Sequence, residues 1–183
     1  EWKDGKIRCR WANPGNERYI HYHDHEWGVP VHDDRKLFEM LVLEGFQAGL
    51  SWECVLNKRE AFPGPLTALI WKRCVPMMKE DGRAGGGCVD YPKPLKIRAS
   101  VENARIFKKI SEEYGSFYEY LKVFTGGKLF AETGQTHSPL SDAVSDDLKR
   151  GMRFVGTTII YSYLQAVGVI DSHEEGCFLH KGG

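Results

Sequence analysis

Apolar residues recur along much of this chain at intervals of three and four positions, which is the spacing of one face of an α-helix. In the segment RKLFEMLVLEGF, the positions i, i+3, i+4 and i+7 are held by Leu37, Met40, Leu41 and Glu44. The pattern predicts a helix in this segment. It also places the carboxylate of Glu44 on the apolar stripe, among hydrocarbon side chains.

The other helices are predicted from the same spacing and from residues that start or stop helices. Asp33 and Asp34 are N-cap candidates for this helix, and Ser51 can cap the next one, SWECVLNKREAF. Ser116 and Glu119 form an S-x-x-E capping box for FYEYLKVF. Further helices are predicted at ENARIFKKISEEYG, SDAVSDDLKRG and TTIIYSYLQAVG, the last one buried because it is apolar on nearly all sides. No strand alternation of useful length occurs, so the predicted class is all-α.

A length of 183 residues suits a single domain spanning 1–183. Basic and acidic residues number 25 each, so a nucleic acid would have to be met by a local basic patch. The five scattered cysteines argue against a disulfide framework and favour a reducing compartment. Because we find no long apolar run and no signal peptide pattern, we expect a cytoplasmic protein without a membrane partner.

Two pairs of metal-binding residue types lie near the ends of the chain: Cys9 with His23, and His173 with Cys177. Two thiols and two imidazoles are the ligand set of a closed tetrahedral zinc site. The i, i+4 spacing of the second pair lets both side chains reach one ion. If the pairs converge, one metal joins the two ends of the chain. The first pair is far apart for a zinc finger, so chance placement stays open at this point.

Aromatic residues are concentrated between positions 11 and 52, where Tyr19, Tyr22 and Trp27 alternate with histidines and Trp52 opens a helix. Aromatic faces beside a carboxylate such as that of Glu44 suit a flat, electron-poor or cationic ring, through stacking, cation–π attraction and a charge-assisted hydrogen bond. The alternative is ordinary core packing, with the carboxylate satisfied by a backbone amide or an arginine.

Two long motifs carry a resemblance to a known family. The segments YIHYHDHEWGVPVHDDRKLFEMLVLEGFQAGLSW and RFVGTTIIYSYLQAVGVIDSH resemble the N- and C-terminal signatures of the 3-methyladenine DNA glycosylase I family. With KIRASVENARIF between them, the resemblance covers the chain except residues 63–94 and 125–138. It implies a helix-hairpin-helix glycosylase fold and an enzyme that flips 3-methyladenine out of DNA and hydrolyses its N-glycosidic bond.

The resemblance also implies roles for individual residues. A structural zinc ion that joins the termini would be held by Cys9, His23, His173 and Cys177. The base pocket would be formed by Glu44, Trp52, Tyr22 and Tyr19, with Trp27 close by. The loop that probes the duplex corresponds to QAGLSW, which makes Gly49 and Leu50 the DNA wedge. The implied partner is double-stranded DNA with alkylated adenine, and we expect a monomer.

The chemistry of the lesion agrees with these roles. Methylation at N3 makes adenine a cation in DNA and weakens its glycosidic bond, and the departing base takes the electrons and leaves neutral. Extrusion of the nucleotide and recognition of its charge and shape are therefore the main tasks. Glu44 is the candidate catalytic residue, and it would act mainly in recognition by accepting a hydrogen bond from the exocyclic amine.

Two other function classes remain open. A zinc-dependent hydrolase would use three of the four ligands and a polarising glutamate, for which Glu174 or Glu175 is adjacent to the site. A binding module could instead read damaged or bent DNA without cleaving it. Metal removal separates the first alternative from a structural ion, and an assay for released base separates the second.

Residues 63–95 form an anomalous segment that does not match the rest of the chain. Most of its length, residues 63–94, holds five of the eight prolines and a run of three glycines. Family members have a helix and then a hairpin here, and the hairpin binds DNA phosphates through main-chain amides. Back-translation of Pro65 to Lys79 and of Glu80 to Leu95 in shifted frames yields segments that resemble both elements. We therefore predict that this segment is a frameshifted translation.

Overall fold

The structure is a computed structural model and describes residues 2, 4–47, 51–59 and 94–181. Within these residues there are seven α-helices and two short strands. The helices are α1 (Glu17–His25), α2 (Asp34–Gln47), α3 (Trp52–Arg59), α4 (Pro94–Tyr114), α5 (Phe117–Thr125), α6 (Pro139–Leu148) and α7 (Thr157–Ala166). The strands are β1 (Phe130–Ala131) and β2 (Ile170–Asp171). The predicted helical class is confirmed for this part of the chain.

Two predictions fall on residues that the structure does not describe. The DNA wedge, Gly49 and Leu50, lies outside the described residues. So does the anomalous segment, residues 63–95, apart from its last two positions, which begin α4. Across the described ranges, we find no helix that combines the length and the apolar character needed to cross a membrane.

The predicted starts of α2 and α3 are confirmed in the structure, whereas α6 begins at Pro139, two residues before its predicted segment. At the start of α2, the backbone N–H of Lys36 donates to the carboxylate of Asp33 at 3.0 Å. Asp34 serves another purpose, because its carboxylate accepts the N–H of Phe117 at 2.9 Å and so joins α2 to α5. Ser51 caps α3 by accepting the N–H of Cys54 at 3.2 Å. The chain therefore specifies these helix ends locally, as N-cap chemistry requires.

The junction of α4 and α5 agrees with the prediction in part. Helix α4 ends at Tyr114, and Gly115 follows with a φ of 90°, a left-handed conformation that glycine adopts readily. Ser116 then caps α5 by accepting the N–H of Glu119 at 3.0 Å. The Glu119 carboxylate accepts a hydrogen bond from Lys122 at 2.8 Å. Helix α4 also begins at Pro94, earlier than the predicted segment.

Helix α7 lies in the middle of the described core, packed against α2 and α6. Its residues Ile160, Tyr161, Tyr163 and Leu164 are each 2 % exposed or less. This burial confirms the prediction from its apolar composition. Helices α1 and α3 pack against each other, and α3 also packs against α2. Together α1 and α3 carry most of the aromatic residues named above.

The two strands were not predicted, because each is only two residues long. They pair in parallel, with Phe130 opposite Ile170 and Ala131 opposite Asp171. The N–H of Glu132 continues the pairing by donating to the carbonyl of Asp171 at 3.0 Å. This short ladder fixes the chain just before His173, one of the predicted metal ligands.

A candidate metal centre and a buried carboxylate among aromatic rings

Three of the four predicted metal ligands converge in the structure. Cys9, His23 and Cys177 are buried, and their ligand atoms all lie within 4.8 Å of one another. The Sγ atom of Cys177 is 3.5 Å from Nε2 of His23. Cys9 comes from the segment before α1, His23 from α1 and Cys177 from the segment after β2. This cluster could hold a metal ion, and it joins the two ends of the described chain.

The fourth predicted ligand, His173, lies beside the cluster. Its ring is 3 % exposed and its centroid is 5.7 Å from that of His23. Among the residues that the structure describes, none offers a hydrogen bond to the buried Nε2 atom of His173. A buried polar atom without a partner is costly. A metal ion held by Nε2 would remove that cost.

Both histidines are oriented by carboxylates. Nδ1 of His23 lies 2.8 Å from Oδ1 of Asp24, and Nδ1 of His173 lies 2.6 Å from Oδ1 of Asp171. An Nδ1–H that donates to a carboxylate leaves Nε2 as the acceptor, which is the usual arrangement of a metal-binding histidine. In His23 this Nε2 accepts the backbone N–H of Cys9 at 3.3 Å. The two aspartates were not singled out from the sequence, although Asp24 adjoins His23 and Asp171 precedes His173 by two residues.

A glycine makes room for the His173 ring. A Cβ atom on Gly28 would lie 2.6 Å from Cε1 of His173, a distance at which the two carbon atoms would clash. Gly28 also has a backbone φ of 74°, a value that residues other than glycine rarely adopt. The turn after α1 is therefore shaped to let His173 approach the cluster.

The thiol and the N-terminal segment are also held in place. The N–H of Glu174 donates to Sγ of Cys9 at 3.4 Å, and burial raises the pKa of the Cys9 thiol to about 12. A divalent cation would supply the positive charge that a buried thiolate needs.

Arg8 is itself buried, and its guanidinium donates to Asp24 at 2.8 and 2.7 Å and to Asp4 at 3.0 and 2.6 Å. Sequence patterns gave no signal for this arginine.

Glu44 occupies the position that the helical spacing predicts. It lies on α2 and is 4 % exposed. Burial raises the pKa of its carboxyl group to about 8, because the apolar surroundings disfavour the charged form. Burial raises the pKa of the Tyr22 hydroxyl on α1, and the charge of Glu44 raises it further.

Two of the predicted base-binding rings contact each other directly. Tyr22 of α1 and Trp52 of α3 have ring centroids 5.2 Å apart and planes inclined at 54°. Trp52 is 9 % exposed, and its buried Nε1 atom has no hydrogen-bond partner within the described part of the chain. A ligand at these rings could therefore gain both aromatic contact and a hydrogen bond from the indole N–H.

The other two predicted rings are arranged around Trp11, a residue that the sequence analysis did not select. The Trp11 ring lies 5.7 Å from that of partly exposed Tyr19 and 4.8 Å from that of Trp27. Trp27 in turn contacts the His173 ring at 4.6 Å, so it lies on the side of the metal cluster. The density of aromatic residues was the signal that could have drawn attention to Trp11.

Comparisons with known proteins point to one family. The family profile described as methyladenine glycosylase matches residues 11–180. The chain is 38% identical over 185 residues to DNA-3-methyladenine glycosylase 1 of Escherichia coli strain K12, covering 96% of this chain and 97% of that protein.

Two solved structures have a similar fold. A crystal structure of 3-methyladenine DNA glycosylase I superposes with a TM-score of 0.81 at 39% identity, covering 95% of this chain and 100% of the other. A structure of 3-methyladenine DNA glycosylase I from Staphylococcus aureus, which concerns its recognition of 3-methyladenine, has a TM-score of 0.76 at 29% identity and covers 93% and 94%.

Proposed function

The chain belongs to the methyladenine glycosylase family, and we propose that it is a DNA repair glycosylase that releases 3-methyladenine from alkylated DNA by hydrolysing the N-glycosidic bond. The observation that carries this proposal is the buried carboxyl group of Glu44 on α2, together with the contact between the rings of Tyr22 and Trp52. The relatives named 3-methyladenine DNA glycosylase supply the substrate class. A DNA substrate places the protein inside the cell.

The buried position of Glu44 supports recognition of a cation. An ionised carboxylate in apolar surroundings is unfavourable unless a positive group pairs with it. 3-Methyladenine in DNA carries that positive charge, whereas ordinary adenine does not. Pairing with the cationic base favours the ionised form of Glu44, which then accepts a hydrogen bond from the exocyclic amine and favours the alkylated base over the unmodified one.

The aromatic rings add affinity that depends on shape. Tyr22 and Trp52 stack on the extruded base, and a cationic ring gains ~0.5–2 kcal/mol from each such contact. Tyr19 and Trp27 complete the aromatic surroundings at greater distance. The wedge residues Gly49 and Leu50 fill the gap that the base leaves in the duplex, a role that follows from the family resemblance alone.

Little acid catalysis is needed, because the alkylated base departs as a neutral molecule. The chain must extrude the nucleotide, which costs a few kcal/mol and least for damaged bases. Glu44 therefore contributes mainly by binding the lesion, and its charge also disfavours return of the base to the stack.

The metal in this proposal is one structural zinc ion held by Cys9, His23, His173 and Cys177. Two observations support His173 as the fourth ligand. Its Nε2 atom has no hydrogen-bond partner among the described residues, and Gly28 leaves space for its ring. Bound zinc would link the segment before α1 to the segment after β2 and stabilise the fold. The zinc hydrolase alternative is weakened by Glu174, whose carboxylate is already engaged by the backbone N–H and guanidinium of Arg10 at 2.9 and 3.3 Å.

The direct test is release of free base from an alkylated DNA duplex, measured by chromatography with the protein and with a Glu44→Ala variant. We expect release by the parent protein and a large loss in the variant. A Glu113→Ala variant, which alters an exposed glutamate of α4, is the control and should keep full activity. Binding to alkylated duplex without base release would instead support the damage-binding module.

A further inference from the structure

The helices that carry Tyr22 and Trp52 are joined by polar contacts at both ends of α1. At the first end, the side-chain amides of Asn13 and Asn16 donate to Oε1 of Glu53 at 2.9 and 2.8 Å. The Asn16 amide also donates to Oδ1 of Asn57 at 3.1 Å. Glu53 is the residue after Trp52, so these bonds act next to the ring itself.

At the other end, Arg59 of α3 bridges two carboxylates. Its guanidinium donates to Glu26, just after α1, at 3.1 and 3.0 Å, and to Glu39 of α2 at 2.8 Å. Lys36 pairs with the same two carboxylates at 2.7 and 3.3 Å. The Arg59 side chain is only 18% exposed, so solvent screens this network less than an ordinary surface ion pair.

These contacts act on α3, which is a short helix. It has eight residues, and three of the side chains described on it are buried: those of Trp52, Val55 and Leu56. A helix of two turns is marginal by itself, and an apolar stripe resists rotation and sliding less than directional hydrogen bonds do. Glu53 and Arg59 lie near opposite ends of α3 and restrain both motions.

We propose that Glu53 and Arg59 are positioning residues that set the angle and distance of the Trp52 ring relative to Tyr22, and thereby the affinity for the alkylated base. This inference rests on the proposed function, since it assumes that the two rings receive the base. Neither residue needs to touch the base, because each acts through the placement of α3.

The first test measures binding of free 3-methyladenine to the full-length protein by isothermal titration calorimetry. Loss of these polar contacts, two at Glu53 and three at Arg59, is expected to weaken binding about five-fold in Glu53→Ala and in Arg59→Met. Glu53→Gln keeps the Oε1 acceptor and should restore binding to near the parent value. Lys122→Met removes an exposed ion pair of α5 with Glu119 and is the matched control. Thermal unfolding of each variant shows whether it is folded. If Glu53→Ala is unfolded, the affinity of Arg59→Met is compared with that of the parent protein instead.

A double-mutant cycle distinguishes positioning from general stabilisation. The second-order rate of base release is measured for Glu53→Ala in the parent background and in the Trp52→Ala background. If Glu53 acts through Trp52, the loss seen in the parent background disappears once the ring is gone. The same loss in both backgrounds, or parent-like affinity in both folded single variants, would overturn the inference. Failure of the parent protein to release base would count against the proposed function instead.

Discussion

Replacement of Glu44 by glutamine isolates the effect of its charge, because the two side chains have nearly the same size. The pKa of the buried carboxyl is raised by burial to about 8, against 4.5 for an unperturbed glutamate. In the unfolded chain the group loses its proton near the lower value, whereas in the fold it keeps the proton until pH 8. Between these values the unfolded state binds fewer protons than the folded state.

The sign of the stability change follows from this difference. The free energy of unfolding contributed by Glu44 is fully present below pH 4.5 and is lost as the pH rises to about 8. Each pH unit in that interval removes ~1.4 kcal/mol, so the total loss is on the order of 5 kcal/mol. Glutamine has no such titration. Glu44→Gln should therefore match the parent protein near pH 4.5 and be more stable by several kcal/mol above pH 8.

Urea denaturation of both proteins from pH 4.5 to 9 measures this difference, because other titrating groups cancel between them. Glu113→Gln, an exposed change on α4, should instead follow the parent curve at every pH. Base release should fall about 10- to 100-fold in Glu44→Gln, since a hydrogen bond to a charged group contributes ~1.5–3 kcal/mol. Stability curves that stay parallel for parent and Glu44→Gln would refute the reasoning about burial, and parent-like release would refute the role in recognition.

Three further predictions concern the metal centre and the anomalous segment. Asp171→Asn weakens the carboxylate contact to His173 and should lower zinc affinity about 10- to 100-fold in competition with a chelator, whereas unchanged affinity would exclude the orienting role. Gly28→Ala places a Cβ against His173, so we expect a lower melting temperature and less than one zinc per chain by metal analysis; full zinc content would contradict this. Peptide mapping of residues 63–95 tests the predicted frameshift, and recovery of the peptides as written, such as those containing the three consecutive glycines, would exclude it.

Three of the helix starts could be predicted because they depend on neighbouring residues alone. Asp33, Ser51 and Ser116 each accept a backbone N–H three positions ahead, as the capping pattern requires. The location of Glu44 was predictable for a similar reason, since helical periodicity determines which side of α2 is buried. Asp34 shows the limit of this reasoning, because its partner Phe117 is distant in the sequence.

The features that sequence patterns missed depend on contacts between distant segments. Strands β1 and β2 have no periodicity of their own and exist because two segments meet. The orienting role of Asp171 and the bridge from Arg8 to Asp24 likewise require the folded arrangement. The predicted set of metal ligands, in contrast, could be read from the family resemblance, and the structure brings Cys9, His23 and Cys177 together.

The distribution of satisfied and unsatisfied polar groups connects stability with function in this chain. Arg8 and Asn103 are buried but fully engaged, Arg8 by two carboxylates and Asn103 by the backbone N–H and C=O of Arg153 at 2.9 and 2.7 Å. Among the described residues, six buried side-chain atoms lack a hydrogen-bond partner, and two of them, Nε1 of Trp52 and Nε2 of His173, belong to predicted ligand-binding residues. A buried polar atom without a partner is costly, so a ligand that pairs with it removes that cost. The retention of these two atoms at the aromatic rings and at the cysteine–histidine cluster is explained if a base and a metal ion complete them, so each ligand should stabilise the protein when it binds.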